Sequence, residues 1–420
     1  MRSYLREKIH MRYSKKIDRF LFSEEDLPLE TVILLVGGMA LAITGGLILP
    51  VAAGGLPYYE NGLLGLLLIV FALQTITLGK TPFGDMRRSK TLLFCGVAIA
   101  SLGIITCFIP SLFGPLPRIL IFFCFGLGGA LQLLRAYLDE TRLRAWMRCG
   151  GIFRHLVFAC AGVYGLSMLA GLLLWTHPPL PAPITATVML LFGFAVIYLG
   201  VVLRLVYRAY PEADPSSNDR SGLSLDHSML LLTGVFMILL GVLLIPVSLG
   251  LLPFSGSAQL GLLMIIFAIQ LLASGNTPVG VSLPRSWPVL GFGILFAALG
   301  IVSCVIPDIL AAPLTRLVGV LNILSGLISM GKRLVLSTRR TNESAAPAHP
   351  LLQKLSRTQL ALDLLSIMFG TSMLVPGIIP GLVVGAILAA NGGVLLYLLH
   401  LLSAITALAN EMSKAPHHSA

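Results

Sequence analysis

Charge is what this sequence has least of. Only 11% of its 420 residues are Asp, Glu, Lys or Arg, against about a quarter in ordinary soluble domains, and so few charges cannot make a water-facing surface. With 56% hydrophobic residues and a mean hydropathy of +0.91, a soluble globule is excluded and a polytopic membrane protein is expected. Acids are the scarcer sign, 18 against 29 Lys and Arg, and only Asp363 falls clearly inside an apolar run. Six cysteines form no CxxC pair. Cys95, Cys107, Cys124, Cys160 and Cys304 sit in apolar runs and Cys149 beside one, so neither a disulfide framework nor a zinc site is suggested.

The chemistry of catalysis is missing too. His155 and His227 stand at the ends of apolar runs and His400 lies in the last one, none spaced from another His as metal or haem ligation requires. His417-His418 near the end could bind metal adventitiously. There is no phosphate-binding Gly-rich Lys loop, no GxSxG elbow, and no nucleophile with a base at helical spacing. No enzyme, cofactor or metal is expected.

What is present is apolar length. Runs able to cross about 30 Å of hydrocarbon as helices fall near 30–54, 62–79, 91–113, 118–138, 155–175, 184–207, 228–251, 258–275, 287–311, 316–337, 359–377 and 381–408, predicting an all-α transmembrane bundle of about twelve spans. If the N-terminus is inside, 27 of the 29 Lys and Arg fall on inner segments and only Arg118 and Arg316 on outer ones. Positive residues are retained on the cytoplasmic side, so both termini are expected in the cytoplasm, the chain sitting in a bacterial inner membrane. That split also accounts for the net charge of +11. The basic face looks at anionic lipid, and no nucleic-acid partner is expected.

The chain is also written twice. Glu30–Gly84 and Asp226–Gly280, laid over each other 196 residues apart without a gap, agree at 22 of 55 positions. The agreement includes Pro50/Pro246, Pro57/Pro253 and Gln74/Gln270, shape-setting and polar residues rather than leucines alone, so it is a duplication. It runs on at 197 through Cys107/Cys304 and Pro110/Pro307, then at 198 through Pro115/Pro313 and Arg118/Arg316. The expected domains are a first six-span repeat over 30–208, a cytoplasmic linker over 209–226 and a second, parallel repeat over 227–410, with a tail over 411–420. Within each copy a Gly-bearing span ends at an outer Pro and a second span returns with a Gln near its inner end, predicting three helical hairpins per copy. In the third, Gly165-Leu166-Ser167-Met168-Leu169 resembles Gly370-Thr371-Ser372-Met373-Leu374, and divergence is greatest. Gly45-Gly46, Gly126 with Gly128-Gly129, and Gly392-Gly393 offer small surfaces for close helix contact.

Outside the spans, residues 1–22 place Leu5, Ile9, Tyr13, Ile17 and Leu21 four apart among basic residues. They read as an amphipathic helix on anionic inner-leaflet lipid or as a positive tail that only fixes topology, within a basic segment 1–29 not expected to be a cleavable signal peptide. Residues 337–358 read as a polar, mobile cytoplasmic loop. The first inner loop repeats as Gly79, Thr81, Pro82, Gly84 against Gly275, Thr277, Pro278, Gly280. It reads first as turn chemistry, with phosphate or partner binding the alternative.

Candidate polar positions inside the membrane are Gln74, Gln270, Gln132, Asn322 and Asp363. The glutamines and Asn322 read as interhelical hydrogen-bonding groups, Gln74 and Gln270 alternatively as the lining of a shared polar path. Asp363 reads as a carboxylate snorkelling near the inner end of its helix, or as a relay site.

Leu232–Gly241 ending at Pro246, and Ser286–Gly293 running to Pro307, resemble the HdeD family of bacterial inner-membrane proteins. That resemblance implies six spans in Pro-turned, Gly-rich hairpins, linked to acid resistance and general stress, with no catalytic residue to carry over; this chain would be a fused double copy. A transporter or channel with a path between the repeats competes, although the two-span unit differs from the inverted three-span repeats of the major facilitators. A membrane anchor or assembly subunit is the third class, and a homo-oligomer or a membrane-complex partner stays open.

Overall fold

A sequence this apolar can bury its backbone polar groups in hydrocarbon only by bonding them within each segment, and in the computed structural model every regular element described is helical. The structure describes residues 27–77, 90–110, 112–138, 151–175, 181–210, 225–274, 287–340, 350–375 and 378–414. The helices are α1 (Leu29–Ala52), α2 (Glu60–Thr77), α3 (Lys90–Phe108), α4 (Leu116–Leu138), α5 (Ile152–Trp175), α6 (Ala182–Ala209), α7 (Leu225–Ser248), α8 (Gly256–Ser274), α9 (Trp287–Val305), α10 (Ala311–Arg340), α11 (Pro350–Leu374) and α12 (Gly381–Lys414). Nine of these are long and apolar enough among the described residues to cross a membrane, while α2 and α3 offer the shorter apolar segments Glu60–Thr75 and Phe94–Phe108. Helix α11, which carries Lys354, Arg357 and Asp363, is in neither group. The calls on residues 1–22, on both Gly-x-Thr-Pro-x-Gly loops and on His417-His418 lie outside the described residues, as do most of 209–226 and residues 341–349 of the expected 337–358 loop. The flanks of that loop are helical, α10 running on to Arg340 and α11 starting at Pro350, because a helix that has left the apolar stretch keeps its backbone bonds through polar residues.

Proline does not end the first helix of either half. Helix α1 runs two residues past Pro50 and α7 two past Pro246, because a proline in the last turn forfeits one amide bond without blocking the residues after it. The stop comes at Gly54 and Gly250, with φ +75° and +71°, a left-handed conformation that glycine adopts freely. The turn then closes by Gly55 N–H donating to the Pro50 carbonyl and Leu251 N–H to that of Pro246, each at 3.0 Å.

The closest packing is not inside the expected outer-turn hairpins. It joins α1 to α6, α2 to α3 and α4 to α5, and in the second half α7 to α12, α8 to α9 and α10 to α11. Glycine decides which pairs close, since helices in lipid gain from close backbone approach rather than from hiding apolar surface. A Cβ on Gly193 would stand 2.6 Å from the Gly38 oxygen, one on Gly103 2.8 Å from the Gly65 oxygen, and one on Gly171 2.7 Å from the Gly126 Cα. In the second half a Cβ on Gly392, Gly300 or Gly370 would stand 2.6 Å from the oxygen of Gly234, Gly261 or Gly319. Each of the six pairs therefore crosses glycine on glycine. In α1·α6 the contact returns one heptad on, Gly45 meeting Ala186, and in α7·α12 Gly241 meets Gly385. Gly46 and Gly393 face open space.

The third hairpin keeps these contacts although its sequence has drifted. Gly171/Gly370, Ala186/Gly385, Gly193/Gly392 and the helix-preceding Pro181/Pro380 all stand 199 apart. The likeness of Gly165 to Gly370 does not carry the contact, because a Cβ on Gly165 meets nothing within 4 Å. One difference between the halves lies in α4, where residues Phe122–Leu127 form a π-turn.

The halves meet over α1, α2 and α3 on one side and α7, α8 and α9 on the other. One apolar cluster spans them, with Leu66, Ile69, Leu73 and Phe108 packed among Phe236, Leu240, Ile265 and Ile301. The Phe108 ring lies 5.8 Å from that of Phe236 and 6.1 Å from that of Phe254. Of the described segment Gly256–Ala273 of α8, 83% is buried.

Candidate functional site

The polar side chains inside the bundle fall into three groups. The first is the glutamine pair. Gln270 on α8 donates from Nε2 to Thr233 Oγ1 on α7 at 2.9 Å. Gln74 on α2 turns the same way, its Nε2 3.4 Å from where a Cβ on Gly37 of α1 would stand, and Gly37 is the position 196 before Thr233. Each glutamine thus addresses the first helix of its own half, as an interhelical hydrogen-bonding group does.

The second group is a polar seam between α10 and α11. Asn322 Nδ2 donates to the Val318 carbonyl at 2.9 Å, while Ser366 Oγ donates to Asn322 Oδ1 at 3.1 Å and lies 3.2 Å from its carbonyl oxygen. Less than one turn before Ser366 on α11, Asp363 is 8% exposed and its Oδ2 lies 3.2 Å from Arg333 Nη2. That contact is a charge pairing off the hydrogen-bond axis. The guanidinium is fixed by Nη1 donating to the Ser356 carbonyl at 3.1 Å and Nη2 to Ser329 Oγ at 3.4 Å. Gly326 allows the approach: a Cβ there would stand 2.7 Å from the Asp363 oxygen. Asn322 and Asp363, unconnected in sequence, are brought to one helix pair, whereas Gln132 lies exposed on α4. Sequence reasoning missed Arg333, which reads as a basic loop residue until the antiparallel register of α10 and α11 sets it against Asp363.

The third group marks the ends of α2–α5. Tyr59 Oη donates to the Cys107 carbonyl at 3.0 Å, and Cys107 Sγ to the Gly62 carbonyl at 3.5 Å, as Cys304 Sγ does to the Ala258 carbonyl at 3.6 Å. Burial pushes the Tyr59 phenol well above its usual range, so it stays a donor. Arg118 Nε donates to Glu60 Oε1 at 2.8 Å, tying the start of α4 to the start of α2. The second copy keeps Arg316 but has Gly256 where Glu60 would be. In the α4 π-turn, Ser167 Oγ on α5 donates to the Phe125 carbonyl at 2.9 Å. His155 Nδ1 lies 2.8 Å from Tyr198 Oη.

Taken together these contacts join helices. Among the described residues no three His, Cys, Asp or Glu side chains gather as a metal set would. Compared with protein-family models, with curated proteins and with solved structures, the chain matches none.

Proposed function

We propose that the chain is a non-enzymatic inner-membrane protein of twelve spans, two parallel six-span halves side by side with both termini in the cytoplasm, whose role is structural and, by its HdeD-like segments, tied to stress response. The observation that carries the reading is the boundary between the halves. It is filled by aliphatic and aromatic side chains from α1–α3 and α7–α9, and the repeat-related polar pair on α2 and α8, Gln74 and Gln270, turns towards the first helix of each half. A transport path needs polar walls or water where ions or solutes pass. One buried charge pair, Arg333–Asp363, lies within the α10–α11 pair. The recurrence of the six glycine crossings supports two equivalent halves.

The test is aqueous access. Cysteine placed singly at Gln74 and at Gln270 in a chain lacking its own cysteines should resist a membrane-impermeant thiol reagent from both sides of the membrane. Rapid modification from either side would mark a water-filled conduit and replace this reading with transport. The stress link is tested separately, by acid survival of cells with and without the chain; equal survival removes it.

A further inference from the structure

The face of α10 that looks into the bundle changes character halfway along. Opposite the exposed Val320, Leu324 and Leu327, its outer half is sealed, Leu314 being 2% exposed and Val318 0%. The same face carries Asn322, Ser325, Ser329 and Arg333 through the inner half, at intervals of three and four that keep one side of a helix, and all four are partly exposed. Across from them α11 carries Gln359, Asp363 and Ser366 at the same spacing. The face opens where it becomes polar.

The first half has no such stripe. Gly129 meets the Tyr164 oxygen and Met168 as Gly326 meets the Asp363 oxygen and Ile367, which aligns α4 with α10 at an offset of 197 and α5 with α11 at 199. On that alignment Asn322, Ser325 and Arg333 stand where Phe125, Gly128 and Ala136 do, and Gln359 and Asp363 where Cys160 and Tyr164 do. Ser329 and Ser366 keep polar counterparts, Gln132 and Ser167.

Bonds between the two helices employ only part of the stripe. Ser366 bonds Asn322, and Arg333 holds Asp363. Among the described residues the side chains of Ser325 and Gln359 bond no protein group, and their polar atoms are accessible rather than sealed. Asp363 Oδ2 is buried without a hydrogen bond. Polar groups left unbonded against hydrocarbon are costly, whereas water satisfies them. From Arg333 to Asn322 the stripe runs about 16 Å at the helical rise, about half of the hydrocarbon thickness. It stops at Val318, Phe369 and the Gly319–Gly370 crossing.

We infer that this seam is a water-filled cleft, open at the inner end of α10 and α11 and closed at mid-membrane, that brings protons from the cytoplasmic side to Asp363. A proton passes from cleft water to a carboxylate oxygen, leaving a neutral carboxyl beside a charged Arg333. Arg333 is the charged group that α10 turns to Asp363, with Ser329 beside it. On α12, the other helix packed closely against α11, the titratable side chains described are Tyr397 and His400, both exposed. The inference rests on α10 and α11 crossing the bilayer, as in the reading above, and adds to it a dead end rather than a conduit.

In a chain lacking its own cysteines, single cysteines at Ser325, Ser329, Leu324 and Val318 would meet a membrane-impermeant thiol reagent from each side of sealed vesicles, with Arg220→Cys marking the inner side. Ser325→Cys and Ser329→Cys should react from the inner side at least about tenfold faster than Leu324→Cys, whose thiol in hydrocarbon stays protonated. Val318→Cys should react from neither side. Infrared difference spectra of the full chain should show a carboxylic C=O band on acidification that shifts in D2O and is missing in Asp363→Asn. Equal rates for Ser325→Cys and Leu324→Cys, reaction of the seam cysteines from the outer side, reaction of Val318→Cys from either side, or a wild type without that band would each overturn the inference. Cysteines at Gln74 and Gln270 lie outside the seam and test the boundary between the halves on their own, so the two readings fail separately. Should one seam variant fail to fold, the other and the infrared band of the native carboxyl still decide.

Discussion

The Tyr59 N–H donates to the Val305 carbonyl oxygen at 3.0 Å, crossing from the first half of the chain to the second. The same bond returns in the other direction, Ser255 N–H donating to the Phe108 carbonyl at 3.0 Å. Tyr59 and Ser255 are 196 apart and Phe108 and Val305 are 197 apart, the two offsets of the duplication at those places. A reciprocal exchange of this kind needs the corresponding ends of the halves on the same side. An inverted pair could not bring residue 59 of one copy to the end of the third helix of the other while its counterpart does the same.

Phe108 should therefore matter more than its size suggests. It is fully buried, with Phe236 and Phe254 against its ring. Phe108→Ala should cost about 3–5 kcal/mol and lower the thermal midpoint in detergent. Phe123→Ala on the exposed face of α4, where the ring is 54% exposed, should change it little.

The glycine crossings give a graded series. Gly193→Leu would drive a side chain into the Gly38 oxygen and the Ala42 backbone, 2.6 and 2.8 Å from the Cβ position, and should cost about 1–3 kcal/mol or more as overpacking. Gly46→Ala, with nothing within 4 Å, should be neutral or stabilise by roughly 0.5–1 kcal/mol through helix propensity. Unfolding midpoints of the two variants beside wild type are the check, and equal loss in both would remove glycine packing as the organising contact.

Asp363 and Arg333 should behave as one unit. Asp363→Asn or Arg333→Gln alone leaves the other charge partly buried and should cost on the order of 2–3 kcal/mol, below the roughly 3–5 of a fully buried pair because both groups keep some exposure. Asp363→Leu with Arg333→Met should restore most of the loss. A double-mutant cycle measures the coupling; additive losses would mean that the two charges act separately.

Ser167 should be specific to the π-turn. Its hydroxyl satisfies the Phe125 carbonyl in a stretch where the regular helical bonding pattern is interrupted. Ser167→Ala should cost about 1 kcal/mol, seen as a lower midpoint and as faster amide exchange over 122–127.

Much of the fold was legible because hydrophobic length and duplication are written residue by residue. Every expected apolar run overlaps a helix, and Gln74 and Gln270 turn to neighbouring helices while Gln132 does not. What the sequence hid was pairing. Gly38 and Gly193 are far apart in the chain, and nothing local says that a glycine on one helix will face a glycine on another. The seven-residue spacings Gly38/Gly45, Gly193/Gly200, Gly234/Gly241 and Gly385/Gly392 were the available signal, and a search for closer glycine pairs passes over them. The outer prolines pointed to hairpins by chain order, whereas close packing followed the glycines. Arg333 was hidden for the same reason: its role depends on a register that only packing sets.

The central claim is that two like halves lie in the membrane pointing the same way, and topology labelling tests it most directly. In a chain lacking native cysteines, single cysteines at Tyr58, at Leu251 and at Arg220 would be exposed to an impermeant thiol reagent in intact cells. The account predicts that Tyr58→Cys and Leu251→Cys, at corresponding turns of the two halves, react from outside, and Arg220→Cys only after the membrane is opened. Reaction of Tyr58→Cys and Leu251→Cys from opposite faces, or of Arg220→Cys from the same face as both, would contradict it.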